Sequence, residues 1–304
     1  MKILVTGISG FVGARLAPRL REAGHDVRGL SRRGLDPARR TPVVRGDAVS
    51  GSGLDEALAD IEVAYYLIHS MEPSQNGAFP LREHRAAENF ANAAQRAGVR
   101  RIVYLGGFVP AGRRPSEHLA SRLAVEETLL GATPDSLAFR ASIVIGARSR
   151  SFRFLVRLVE RLPVLVLPAW REHRTAPIDE RDVISFLVRA AEEPAVSGRS
   201  LDLAGPDIVS YGELIELIRD EMLVGRPALG LSRLTLTPIA SRISAVIAGE
   251  DHELIGPLME GLDTDLLPRS DDAAALLGVR RHSLRAAVER SLREWESVEP
   301  LKAR

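Results

Sequence analysis

The sequence predicts an α/β protein: a doubly wound, parallel Rossmann sheet with a smaller, mainly helical C-terminal lobe. Short β-branched runs alternate with helix-length amphipathic segments through the first half, the pattern of βαβ units. A glycine-rich turn, Thr6-Gly7-Ile8-Ser9-Gly10-Phe11-Val12-Gly13, follows the first apolar run directly. The strand–helix alternation stops near Gly205 and gives way to a helix-rich remainder.

Taken in order, strands are predicted at Lys2–Thr6, Asp26–Leu30, Pro42–Arg45, Val63–Ile68, Arg101–Leu105 and Ser136–Ser142. Helices fall between them at Val12–Glu22, Gly53–Ala59, Leu81–Ala97 and His118–Leu130, and Gly24 and Gly98 sit where C-terminal caps belong. A helical stretch, Ser151–Leu162, then leads into a Pro-rich segment, Pro163 to Pro177. A helix at Glu180–Glu193 and a strand near Ser200–Leu203 return the chain to the sheet. The expected division is therefore a nucleotide domain of residues 1–145 plus 176–204. Residues 146–175 plus 205–304 form a discontinuous substrate-side lobe.

Composition narrows the classes of function. The chain has 304 residues, 45% hydrophobic and 27% charged, which suits a globular protein with a sizeable core. Its 41 basic and 40 acidic residues nearly cancel, so no global field favours nucleic acid or an anionic membrane. Cysteine is absent, which removes disulfides, thiolate nucleophiles and cysteine-based metal sites and fits a cytoplasmic location. The N-terminal run meets Gly7 too soon to serve as a signal peptide. The longest apolar stretch, Phe152 to Trp170, is broken by charges and prolines and does not span a bilayer.

The glycine turn carries the clearest chemistry. Glycine lets the backbone bend sharply and approach a pyrophosphate without a Cβ in the way, and the following helix offers free N–H groups and its positive dipole end. Gly13 permits close packing of that helix on the strand. A tight structural turn has the same composition; strand before and helix after favour the cofactor reading. The end of the second strand reads Leu30-Ser31-Arg32-Arg33. A carboxylate there would bind the ribose diol of NAD, whereas guanidinium groups suit a 2′-phosphate, so Ser31, Arg32 and Arg33 favour NADP(H) over NAD. A solvated basic loop that continues to Arg39 and Arg40 is the alternative.

These residues resemble the short-chain dehydrogenase/reductase superfamily, specifically its extended and atypical branches, whose fingerprint is TGxxGxxG. The resemblance covers about the first 205 residues. It implies that Asp47 and Ala48, in Arg45-Gly46-Asp47-Ala48, border the adenine. It implies that Leu67, Ile68 and His69 pass the cofactor's ribose and phosphates, and that Ala141 and Ile143, in the segment Arg140 to Gly146, border the nicotinamide. The segment Ala176 to Val183 is similar to one that opens a late helix.

Members of this superfamily use a serine on strand five and a Tyr-x-x-x-Lys pair, and here the resemblance fails. Strand five ends Tyr104-Leu105-Gly106-Gly107, with Gly106 in the serine's place. His118 and Arg122 fall on the tyrosine and lysine positions. An imidazole exchanges a proton near neutral pH, Arg122 can hold ribose hydroxyls, and residues four apart share a helix face. The plain readings are a surface histidine and an Arg122–Glu126 ion pair. His25, His84, His173, His252 and His282 show no metal-site spacing, and Asp179 and Asp182 read as helix caps. Trp170 reads as packing.

Three functions remain open. The first is an NADP(H)-dependent oxidoreductase acting on a small carbonyl or alcohol, as a monomer or homodimer. The second is a non-catalytic NADP(H)-binding redox sensor or assembly factor, similar to NmrA-like proteins and the accessory subunit of respiratory complex I. The third is a sugar-nucleotide epimerase or dehydratase.

Overall fold

The computed structural model describes residues 1–33, 41–68, 79–110, 116–162, 164–167, 169–230 and 264–301. Seven parallel strands form the main sheet: β1 (Lys2–Thr6), β2 (Asp26–Ser31), β3 (Val43–Arg45), β4 (Val63–Tyr66), β5 (Arg101–Gly107), β6 (Leu137–Ala141) and, after four short strands, β11 (Ser200–Leu203). Their order is β11-β6-β5-β4-β1-β2-β3. The chain thus runs outward from β1 to β3, crosses back, and runs outward again from β4, so its topological switch lies between β1 and β4. Ligands of open α/β sheets bind at that point, beyond the C-terminal ends of the strands.

Helices cover both faces. On one side α1 (Phe11–Glu22) and α6 (Glu180–Ala190) pack Leu16, Leu20, Val183 and Phe186 against Ile3, Val5, Val103 and Phe139. On the other, α2 (Leu54–Leu58), α3 (Phe79–Arg96) and α4 (Glu117–Leu130) pack Leu58, Phe90, Ala94 and Val125 against Leu4, Ala64 and Ile102. Ile3 and Val5 face one layer and Leu4 the other, the period-two alternation of a strand buried on both sides.

A separate core forms from α5 (Arg150–Arg161), α7 (Tyr211–Glu221) and a late helix, α9 (Leu284–Glu296). Phe152, Leu155, Val159, Trp170, Tyr211, Ile215, Val288 and Trp295 fill it. Three two-stranded ladders lace this part together: β7 (Val144–Ile145) with β10 (Ile178–Asp179), β8 (Leu165–Leu167) with β13 (Ala228–Gly230), and β9 (Arg174–Thr175) with β12 (Val209–Ser210). Ala273 of α8 (Ala273–Leu276) and Leu277 lie within the range expected for the lobe, yet both pack on the sheet-side core.

Of the boundaries that differ from expectation, two have a direct physical reason. β4 stops at Tyr66 instead of Ile68 because Leu67 turns to hydrogen-bond Thr6. α6 stops at Ala190, short of Glu193, before a 3-10 turn at Pro194–Val196, and the buried Arg101 guanidinium donates to the carbonyls of Ala190 and Glu193.

Three acids open α6, and all are buried. Asp179 caps the helix by accepting from Arg181 N at 2.7 Å and is held by the Arg181 guanidinium at 2.6 Å. Glu180 lies 2.8 Å from Arg15 Nε of α1 and 3.4 Å from Arg290 Nη2 of α9. Asp182 accepts from the backbone N of His282 at 2.8 Å and lies 2.5 Å from its Nδ1. The capping expected of Asp179 is present, and Asp182 instead anchors the C-terminal segment. Burial pushes the Asp179 carboxyl up, but hydrogen bonds from the Arg181 side chain and backbone, with the charges of Arg290 and Arg181, outweigh it and hold the carboxyl below its usual range. A depressed carboxylate contributes stability above its unfolded value and loses it as pH falls through the folded one. Asp179→Asn should therefore cost about 1–3 kcal/mol at neutral pH, with the deficit shrinking below about pH 4. Urea unfolding across that range measures it.

Candidate dinucleotide and active site

The glycine turn is built around one close approach. Thr6 Oγ1 donates to Tyr65 O and accepts from Leu67 N, each at 3.0 Å, stitching the end of β1 to the end of β4. Gly7 then takes a left-handed φ of +62°, and a Cβ there would lie 2.8 Å from Leu67 O. Gly10 N closes the turn onto Gly7 O at 2.8 Å. A Cβ at Gly13 would overlap the Gly7 carbonyl, so α1 starts directly against the turn. No side chain caps α1, and its first turn carries no acid. The free N–H groups of that helix end and the Cβ-less turn fit a pyrophosphate.

Thr6 is buried and committed to the backbone of β4, while Ser9 and Gly10 are exposed and Phe11 and Val12 half-buried. Phe11 reaches across to Gly146, where a Cβ would lie 2.8 Å from Phe11 Cζ and 2.6 Å from Glu180 Oε2. The turn, the end of β7 and the acid cluster of α6 meet there.

On the β2–β3 side, Ser31 pairs in register with Arg45. Its hydroxyl accepts from Arg33 N at 3.3 Å, and Arg32 and Arg33 are exposed. Asp47 Oδ1 accepts from Val49 N at 2.9 Å. Ala48 is buried, and its carbonyl and that of Val49 accept from Asn89 Nδ2 at 3.0 and 2.9 Å. Asn89 fixes the loop that would border the adenine; nothing in the helical pattern around it marks this role.

On the β5–β6 side, Gly106, Ala141 and the half-buried Ile143 line up at the strand ends. A Cβ at Gly106 would press into the Tyr104 ring at 2.8 Å, and one at Gly107 would lie 3.6 Å from Arg122 Nη1. Tyr104 is buried, which pushes its phenol well above the ordinary range, and its hydroxyl donates to the Arg122 carbonyl at 3.4 Å. The Arg122–Glu126 pair is not formed. Glu126 instead takes a two-pronged bond from Arg140, at 2.9 and 2.6 Å, and another from Ser200 Oγ at 2.6 Å. Arg122 Nε is buried with no hydrogen-bond partner among the described residues.

His118 falls in the first turn of α4, one helical turn before Arg122, with its side chain outside the described residues. His69 lies outside them altogether. Among the described residues no group of three or more His, Cys, Asp or Glu side chains is placed to hold a metal. No described helix is long and apolar enough to cross a membrane.

Residues 3–128 match the model of the NAD dependent epimerase/dehydratase family. That match covers the glycine turn, the first five strands of the sheet and most of α4. Over these residues the chain is similar to that family, which agrees with the resemblance to the extended short-chain dehydrogenases. It is 25% identical over 227 residues to a mitochondrial NADH dehydrogenase [ubiquinone] 1 alpha subcomplex subunit 9 of Arabidopsis thaliana, covering 71% of this chain but only 56% of that protein. It is 28% identical over 281 residues to a ceramide reductase of Caulobacter vibrioides, covering 88% and 86% of the two chains. The UDP-glucuronic acid 4-epimerase of Bacillus cereus, solved with NAD, shares the fold at a TM-score of 0.73 and 18% identity over 100% of this chain and 99% of its own.

Gly7→Ala tests the cradle. Left-handed backbone and the Leu67 carbonyl both oppose the methyl group, so we expect a loss of about 1–2 kcal/mol or more in stability and at least about tenfold weaker NAD(P)H binding. Thermal melts and fluorescence titration measure the two effects.

Proposed function

We propose that the protein is an NADP(H)-dependent oxidoreductase acting on a small carbonyl or alcohol, with Gly106, His118 and Arg122 in place of the family's serine, tyrosine and lysine. The observation that carries this reading is the Arg122 guanidinium. It sits beside Gly107 at the C-terminal end of β5, unclaimed by Glu126, which Arg140 and Ser200 occupy.

The turn from Gly7 to Gly13 and the α1 N–H groups would hold the pyrophosphate. The exposed Arg32 and Arg33, with Ser31, would receive a ribose 2′-phosphate, which a carboxylate at this position would repel. Ala141 and Ile143 would flank the nicotinamide end, and segments 146–175 and 205–304 would supply the substrate side. NADPH, when bound, would supply the hydride for the substrate carbonyl carbon. His118, as imidazolium, gives its proton to the carbonyl oxygen and regains one from solvent; Arg122 holds ribose hydroxyls and, permanently charged, favours the alkoxide forming beside it.

A second reading, an NADP(H)-binding subunit or sensor without chemistry, is favoured by Gly106, where Tyr104 leaves no room for a hydroxyl-bearing side chain. A panel of aldehydes and ketones with NADPH separates the two: turnover supports the enzyme, and tight NADPH binding without oxidation supports the sensor. We expect His118→Ala to lower kcat by about 10²-fold with NADPH affinity intact; an unchanged kcat removes His118 from the mechanism. Arg32→Ala should weaken NADPH binding about tenfold or more while leaving NADH almost unaffected, as paired titrations would reveal.

A further inference from the structure

The end of β3 carries an arginine beside the glycine turn, and the function proposed above gives it no part. Which face it takes follows from the two cores of the sheet. Val27 of β2 and Val43 of β3 pack in the layer that holds α1 and Ile8, whereas Leu30 and Val44 pack in the layer of α2 and α3. Successive side chains of a strand alternate between faces. Ser31, four residues after Val27, therefore stands on the α1 side, and so does Arg45, two residues after Val43.

The two residues are level as well as on one face. Ser31 and Arg45 are register partners on parallel neighbours, which sets them one strand spacing, about 4.8 Å, apart. At the preceding pair on this face, Gly29 and Val43, a Cβ on Gly29 would lie 2.5 Å from Ile8 Cδ1 and 3.2 Å from Val43 Cγ2. Ile8 of the glycine turn thus packs down onto both strands. Beyond it come the exposed Ser9, the half-buried Ser31 and the exposed Arg45. Among the described residues the Arg45 guanidinium has no hydrogen bond or ion pair. The nearest acid in sequence, Asp47, accepts from Val49 N. Arg28 of β2, on the opposite face, is by contrast committed to the carbonyls of Glu56, Ala57 and Ala59 that end α2. A dinucleotide with its pyrophosphate on the turn lays its adenosine ribose across the end of β2. The group that would meet an uncommitted guanidinium there is a 2′-phosphate, whose oxygens suit a planar fork of donors.

We propose that Arg45 is a specificity-determining residue that binds the adenosine 2′-phosphate from the β3 side, across Ser31 from the arginines that follow β2. This rests on the NADP(H) reading of the cofactor. It is independent of hydride transfer, and holds for an enzyme and for a sensor alike.

The test is binding to the full chain: NADPH and NADH by nicotinamide fluorescence, and adenosine 2′,5′-bisphosphate and AMP by calorimetry. The last two differ only in the 2′-phosphate. Arg45→Gln, which removes the charge from an exposed position, should weaken NADPH and adenosine 2′,5′-bisphosphate about tenfold and leave NADH and AMP almost unchanged. Arg45→Lys, which keeps the charge without the fork, should recover part of the loss. Added salt should erode the preference of the native protein for the bisphosphate over AMP more than that of Arg45→Gln, since one charge pair fewer is left to screen. An Arg45→Gln protein with the native ratio of NADPH to NADH affinity would overturn the assignment and leave the NADP(H) reading intact. Equal losses on AMP and on the bisphosphate would overturn it too, because they report a general field in place of a contact. Native protein that binds NADH as tightly as NADPH, or binds neither, fails the parent reading, and the assignment falls with it.

Discussion

The approach of Gly7 to the Leu67 carbonyl sets the geometry of the whole C-terminal edge of the sheet. β1 and β4 are the strands between which the chain reverses its direction of progress, and a crevice opens there only if their ends are held in register. Thr6 holds them by bonding both Tyr65 and Leu67. Gly7 then leaves β1 at the one angle the neighbouring backbone allows, and Gly13 lets α1 begin without a spacer. The helix end, with its uncapped N–H groups, is aimed at the crevice by packing of main chain on main chain. Such contacts have little room to relax.

Behind this edge an ionic cluster ties α9 to α1 and α6. Arg15 on α1, the acids opening α6 and Arg290 on α9 converge where Phe11 meets Gly146. Burial of this kind seldom adds net stability, since desolvation offsets the attraction, but removing one partner strands a charge. The cluster therefore acts through specificity of placement: α9 has one seat in which Arg290 reaches both Asp179, at 3.6 Å, and Glu180, at 3.4 Å.

How much of this the sequence carried follows from the range of the interactions. The strands and helices of the first half were legible to within a residue or two because period-two and helical patterns are local, and so were the glycine turn and its helix. The substitution at Gly106 was legible as an absence. The environment of Arg122 was not. A spacing of four residues on a helix argued for a pair with Glu126, but Arg140 on β6 and Ser200 on β11 claim that carboxylate, and both come from neighbouring strands. Asn89 escaped for the same reason: it joins segments far apart along the chain. The catalytic reading of His118 and the cofactor-side reading of His69 rest on resemblance and local chemistry alone.

The bond between Asp182 and His282 spans 100 residues. During synthesis, α6 and its sheet are complete in the growing chain long before His282 and Arg290 emerge. Until they arrive, Asp179 has Arg181 and Glu180 has Arg15, but Asp182 lacks the backbone and imidazole nitrogens of His282. Contacts this distant in sequence form late. The final helix is thus the last element to reach its seat, after the glycine turn and the sheet behind it are already in the chain.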